Sequence, residues 1–373
     1  MNEDKARRYH RLQRRVSLAS LAWSVLLLSG LLATGLNAWL RNAADAAAVL
    51  AGLDSWRAPA TVFGFVVLLS ILHELGGLPL RFYGGHYLER RYGLSNETVG
   101  GWFVDQAKSF LITVILGGGA ASVIYGFIRW SPDRWWLTGG AVFALLIVGL
   151  TNLAPVLLLP LFYSIKPIDR DALRVRLLAL AGRAGARVLG VYEWGLGEKT
   201  KKANAALTGL GSTRRILVSD TMLAGYSDDE IEVVLAHELA HHVHGDIWKG
   251  VVFESTLIVA GFYLASRVLL ALAAPLGLHG VSDVAGLPLL LLAAGTVSLA
   301  MVPVAHAMSR AFERRADRFA LDLTRNPGAF ISAMRRLGAQ NLAEEAPSLA
   351  VQWLFYSHPP LSERIAAAQA FKG

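Results

Sequence analysis

The sequence predicts a polytopic α-helical membrane protein with a small α+β domain. Three observations predict it. Of 373 residues, 54% are apolar, and the mean hydropathy is positive. The apolar residues gather in long uncharged runs of the length that crosses a bilayer core, about 20 residues of helix. Between two such groups lies a polar segment, 166–249, whose periodicity mixes helix and strand.

Four runs read as spans directly: 16–40, 109–128, 135–165 (interrupted by Pro155 and Pro160) and 284–305. Two weaker runs carry charges: 58–80 contains His73 and Glu74, and 250–278 contains Glu254 and Arg267. The total is six spans. The first run is too long for a signal-peptide core and lacks a good small-residue cleavage site, so it reads as a retained anchor. Intramembrane ionisable groups are costly and face an interior or a cavity. His73, Glu74, Glu254 and Arg267 are therefore candidates for a chamber or for structural ion pairs.

The net charge of +8 invites a nucleic-acid reading, but topology explains it better, and no nucleic-acid partner is expected. The N-terminal tail holds six Lys/Arg, the loop 41–57 two, 81–108 four, 129–134 two and 279–283 none. Rich and poor segments alternate, as the positive-inside rule requires. Both termini and the segment 166–249 are thus expected on the cytoplasmic side of a multi-pass membrane protein, in a bacterial inner membrane or its equivalent. Four parts follow: a four-span unit 1–165, an α+β segment 166–249, a two-span hairpin 250–306 and a helical C-terminal segment 307–373.

Within the polar segment, "DALRVRLLALAGRAG" spaces its apolar residues as an amphipathic helix. "RVLGVYEW" and "RRILVSD" read as strands, with "LTGLGSTR" as the turn before the second. "SDDEIEVVLAHELAHHVHG" starts a helix at Ser227, with Glu230 completing a capping box, and Gly245 as the stop.

That last helix carries the chemistry. His237 and His241 stand four apart and share a face. Two imidazoles can then meet one ion, with Glu238 placed to take a proton from water. Zinc, the expected metal, lowers the pKa of bound water to ~7. No cysteine occurs, so histidine and carboxylate must supply every ligand. The best third ligand is Glu313 in "AFERRADRFAL", with Asp317 on the same face to fix a ligand imidazole's tautomer. An ordinary solvated helix face with internal ion pairs accounts for that stretch equally well. Two antiparallel spans would return the chain to the side it left, which brings His241 and Glu313 together. His306 is a rival ligand, although snorkelling at a span end is the simpler account of it. His242 and His244 lie off the ligand face and are expected in solvent.

"HELAH", two spans and "ERRAD" in this order resemble the type I CAAX prenyl protease family of integral-membrane zinc endopeptidases. The resemblance extends to "LPLRFYGGHYLERRYGLSNETVGGWFVDQAKSFL", "LAPVLLLPLFYSIKPI", "NAALTGLGSTRRILVSDTML" and "YSHPPLSERIAA", and covers roughly residues 70–370. It implies a prokaryotic-like member whose helices enclose a chamber. Eukaryotic members have seven spans, so one N-terminal span would be missing here. The resemblance implies His237, His241 and Glu313 as zinc ligands, Glu238 as general base and Asp317 behind the ligands. It also implies that Asn204 and Ala205 pair with the substrate backbone on an edge strand. His358 would donate to the oxyanion with Arg364 in support; from the residues alone, His358 is an ordinary surface histidine. Implied partners are a peptide or prenylated peptide and membrane lipid, with the chain a monomer. A membrane quality-control metalloprotease and a non-catalytic scaffold with structural zinc are the alternatives.

Overall fold

The structure, a computed structural model, describes residues 2–209 and 214–372. Among these, six helices are long and apolar enough to cross a membrane: Asp4–Thr34, Asp54–Arg91, Val99–Trp130, Trp135–Leu157, Asp246–Leu272 and Val284–Thr324.

The first apolar run departs from expectation. It does not form one span over 16–40. Helix α1 (Asn2–Thr34) stops at Gly35, whose φ of 73° only glycine adopts cheaply, and a separate helix α2 (Leu36–Leu50) follows. Fifteen residues of helix reach about 22 Å, short of the ~30 Å hydrocarbon core. Helix α2 therefore does not cross. It lies along α3 (Arg57–Phe82), burying Asn37, Leu40, Ala44 and Ala48. The approach is close: a Cβ on Gly64 would stand 3.2 Å from the Ala44 Cβ. Asn37 donates to the Ala285 carbonyl (2.9 Å) and Arg41 pairs with Asp283 (2.6 Å), tying α2 to the far end of the bundle.

Helix α3 continues through a π-helical stretch, Tyr83–Leu88, into the short α4 (Glu89–Arg91). Helices α5 (Val99–Trp130) and α6 (Trp135–Leu157) complete the first four spans. Helix α6 absorbs Pro155 but ends ahead of Pro160, since the residue before a proline disfavours helix. Its core side chains, with those of α3 and α5, meet Phe262, Leu269 and Leu290 in one buried cluster.

The polar segment forms β1 (Ile165–Pro167), α7 (Asp171–Arg183), β2 (Gly190–Trp194), β3 (Ala205–Thr208), β4 (Arg215–Ser219), α8 (Asp220–Gly225) and α9 (Asp228–Val243). The sheet order is β1-β2-β4-β3, with β2 and β4 parallel and the outer pairs antiparallel. The expected strands are β2 and β4. Strand β1 was not anticipated and β3 was expected only through the resemblance, at Asn204 and Ala205, because three or four residues are too few to display alternation. The expected turn is partly strand: Leu207 and Thr208 belong to β3, while 210–213 lie outside the described residues. Leu177, Leu180, Ile216, Val218, Leu235 and Phe330 form the core beneath the sheet.

Helix α9 begins as the sequence predicts. Ser227 accepts from the Glu230 amide and Glu230 reaches back to the Ser227 amide, a complete capping box. It ends at Gly245, left-handed at φ 65°, and α10 (Asp246–Leu272) starts at once. Helix α11 (Leu287–Thr324) is unbroken over 38 residues, Pro303 included. At 1.5 Å per residue it is about 57 Å long, so its second half projects beyond the bilayer. The sixth span and the "ERRAD" segment are thus one rigid helix, which returns to lie against α9. Helices α12 (Pro327–Gln340), α13 (Leu349–Phe355) and α14 (Leu361–Gln369) close the domain.

Candidate metal centre

Helix periodicity aims His237 and His241 at one point, with ring centroids 5.1 Å apart. The projecting half of α11 delivers Glu313 to the same point. Its Oε2 lies 3.2 Å from His237 Nε2, and its Oε1 lies 3.4 Å from His241 Nε2. One donor atom from each of the three falls within 4.8 Å of the others, and this trio is the metal-compatible group among the described residues.

The outer nitrogen of each imidazole is held by a carboxylate. His237 Nδ1 donates to Asp317 (2.9 Å), and His241 Nδ1 to Asp246 (3.2 Å). Each inner Nε2 therefore presents its lone pair. The two lone pairs face the two oxygens of the Glu313 carboxylate, and Oε2 is buried with no hydrogen-bond partner among the described residues. Buried acceptors left this way are costly. A cation bound by all three groups satisfies them together, and an N,N,O set is the donor set of a catalytic zinc site. The residues fit the metal.

The carboxylates are themselves fixed. Arg364 forks onto Asp317 (2.8 and 2.5 Å) and passes 3.3 Å from His237 Nδ1. Arg315 donates to Asp246 (2.6 Å). Asp246 was missed in the sequence. Residue spacing gives no sign of it, because its approach to His241 depends on the left-handed turn at Gly245.

Glu238 points from the same helix into a cavity of about 380 Å³, also lined by Asn204, Ala205, His358 and Arg364. Burial pushes the Glu238 carboxyl up, which the neighbouring imidazoles partly oppose. His358 Nε2 stands 3.4 Å from Glu313 Oε1, and its Nδ1 is held by Ser357 Oγ at 2.9 Å. Its side chain is 59% accessible within the cavity. Desolvation holds its imidazole below the ordinary value, opposed by Glu313 and aided by Arg364 and the two ligand imidazoles. Arg364 directs its guanidinium to Asp317 and His237 rather than to His358.

Asn204 immediately precedes β3, and its backbone faces β4: Ser219 N donates to its carbonyl (2.9 Å). Strand β3 is the sheet's outer strand, so Ala205 turns its own amide and carbonyl the other way, toward the cavity. The N-terminal helix adds a wall that sequence reasoning did not foresee. Arg14 pairs with Glu344 (2.8 Å), which accepts from Tyr356 (2.6 Å), two residues before His358.

The remaining histidines fall elsewhere. His306 contacts the Trp353 carbonyl (3.2 Å), outside the trio. His242 and His244 are half-buried rather than in solvent: the His244 ring lies edge-on to Phe319 of α11 at 5.6 Å, and His242 lies on another face, near Arg214. In the bundle, Glu74 pairs with Arg81 (2.6 Å), and His73 meets Ser24 Oγ (3.0 Å) beside a separate cavity.

Two family descriptions match the chain: Peptidase family M48 over residues 167–372, and the CAAX prenyl protease N-terminal region of five membrane helices over residues 2–164. The latter stretch holds four candidate spans here. A Bacillus subtilis metalloprotease, YhfN, is 32% identical over 310 residues, covering 82% of this chain and 72% of that protein. CAAX prenyl protease 1 of Saccharomyces cerevisiae is 28% identical over 326 residues, covering 81% and 71%. The crystal structure of S. mikatae Ste24p superposes with a TM-score of 0.86 at 24% identity, over 98% of this chain and 88% of that one.

Proposed function

The chain belongs to peptidase family M48, in its membrane-embedded branch that includes the CAAX prenyl proteases, and is a multi-pass membrane metalloprotease; from that premise we propose that it is a zinc endopeptidase working at the cytoplasmic face. The observation that supports the metal is the buried Glu313 carboxylate, its Oε2 facing His237 Nε2 and its Oε1 facing His241 Nε2, with Oε2 lacking a hydrogen-bond partner among the described residues. His237, His241 and Glu313 hold the ion.

When bound, zinc supplies Lewis acidity, which makes water nucleophilic at neutral pH and polarises the scissile carbonyl. The chain's own residues do the rest. Asp317 and Asp246 keep both ligand imidazoles in the Nδ1–H tautomer. Glu238 takes a proton from the attacking water and delivers it to the departing amine, and burial that raises its carboxyl suits it to both steps. His358, its ring held through Nδ1 by Ser357, offers Nε2–H to the oxygen that becomes negative. The outward amide and carbonyl of Ala205 pair with the peptide backbone, and Asn204 anchors that edge to β4.

Substrates are apolar peptides reaching the site from the membrane, a prenylated C-terminal peptide among them. The chain acts as a monomer surrounded by lipid. The test offers a prenylated C-terminal peptide and an unmodified apolar peptide side by side to the purified protein. Cleavage of the first alone supports prenyl-peptide specificity. Cleavage of both assigns broader endopeptidase work, as in membrane quality control. Cleavage of neither, with zinc bound, contradicts the proposal.

A further inference from the structure

Strand β3 and the segment before it are treated unevenly along their outer edge. Antiparallel pairing turns alternate residues toward the neighbouring strand. Asn204 is turned toward β4, through Ser219, and the register Ala206↔Leu217 and Thr208↔Arg215 continues the pattern. Residues 201, 203, 205 and 207 therefore face outward. The first two are sealed by the end of α12. Gln340 Nε2 donates to the Lys201 carbonyl (2.6 Å). Asn341 does more: Ala203 N donates to its Oδ1 (3.0 Å) and its Nδ2 donates to the Ala203 carbonyl (3.2 Å). A side-chain amide thus makes both bonds that a paired strand residue would make. Ala205 lines the cavity with Asn341 and has no such cover among the described residues.

The placement of Asn341 is built in. It caps α12, and the next residue, Leu342, is left-handed at φ 52°, a conformation that disfavours a side chain. Leu342 is held there by burial against Tyr9, Leu88, Tyr92 and Leu94 and by His10 Nε2, which donates to its carbonyl (2.8 Å). Ala343 N closes onto the Gly338 carbonyl (2.8 Å). Strain kept in place by surrounding contacts is a mark of a position with a task.

We propose that Asn341, with Gln340, is a resident stand-in for a strand that seals one end of the β3 edge. A bound peptide then pairs no farther than Ala205 in that direction, which limits how many residues are held on one side of the cleaved bond. The inference rests on the strand-addition reading above. Asn341 is a positioning residue: it acts on the peptide by closing the track.

The test is a peptide series lengthened one residue at a time on either side of the cleaved bond, with product masses identifying that bond. With the parent chain, kcat/KM stops rising at a fixed length on one side. With Asn341→Ala, the stopping point moves out by two residues on that side alone, the spacing of outward-facing positions, with a gain of about 2- to 10-fold for the longer peptide. Asn341→Asp, which keeps an acceptor for Ala203 N–H, falls between and serves if the alanine variant folds poorly. An unchanged stopping point with a uniform fall at all lengths overturns the inference and leaves Asn341 a structural cap.

Amide exchange in the Glu238→Gln protein separates this inference from its premise. Ala203 should exchange slowly without peptide, and Ala205 and Leu207 should slow only with it. In the Asn341→Ala, Glu238→Gln protein, Ala203 should exchange fast until peptide binds. Equal exchange of Ala203 in both proteins sinks the stand-in. If Ala205 and Leu207 ignore the peptide, strand addition is what fails.

Discussion

At the scale of single residues, each histidine of the candidate centre has a second partner that fixes it. His237 leans on Asp317, which Arg364 grips; His241 leans on Asp246, which Arg315 grips. The two arms are built alike, and only one was legible in the sequence. Asp317 could be found because it shares a helical face with Glu313. Asp246 could not, because its approach to His241 depends on the left-handed turn at Gly245, which residue spacing does not encode. Removing the missed arm should cost as much as removing the expected one. Asp246→Ala is predicted to weaken metal affinity by roughly 10- to 100-fold, read by competition with a chelator, with helix content by circular dichroism unchanged. Parent-like affinity would make Asp246 an ordinary partner of Arg315.

At the scale of elements, two junctions set the geometry. The first is the break at Gly245 between α9 and α10. Its φ of 65° costs a side chain about 1–2 kcal/mol, while asparagine tolerates it. Gly245→Ala should lower the thermal midpoint in detergent and weaken metal binding through Asp246; Gly245→Asn should recover most of both. Equal loss in the two variants would mean that side-chain volume, not backbone conformation, is at fault. The second junction is absent: α11 runs from the bundle through Glu313 to Thr324 without interruption. The sequence placed a span over 284–305 and a polar helical segment over 307–373, and residue patterning could not show that they begin as one rod. Helix α9 was legible to both ends because Ser227, Glu230 and Gly245 are local signals. Strand β1 was not, because three residues are too few to display alternation, and β3, a hairpin partner of β4, was expected only through the family resemblance. Helix α2 was hidden in an apolar run, and only the φ of Gly35 separates it from α1.

At the scale of the whole molecule, six spans bring α9 and the projecting end of α11 to one side of the bundle, while α2 and the 283–285 turn close the other. The proposed function places the site on the cytoplasmic side, an expectation from the alternation of Lys/Arg. The cysteine-free chain makes this testable with single cysteines. Glu198→Cys, on the exposed loop of the α+β domain, should resist an impermeant thiol reagent added to intact cells, and Asp54→Cys should react. The reverse pattern would invert the topology. Family membership settles the class of reaction, and what the site geometry adds is the division of labour within it. The most direct measurement is peptide cleavage by Glu238→Gln, together with its metal content. Glutamine keeps the shape of the side chain without its basicity. The account predicts full metal content with turnover reduced by ~10²–10⁴-fold, the usual cost of losing a general base. Cleavage at the parent rate with metal bound would contradict it.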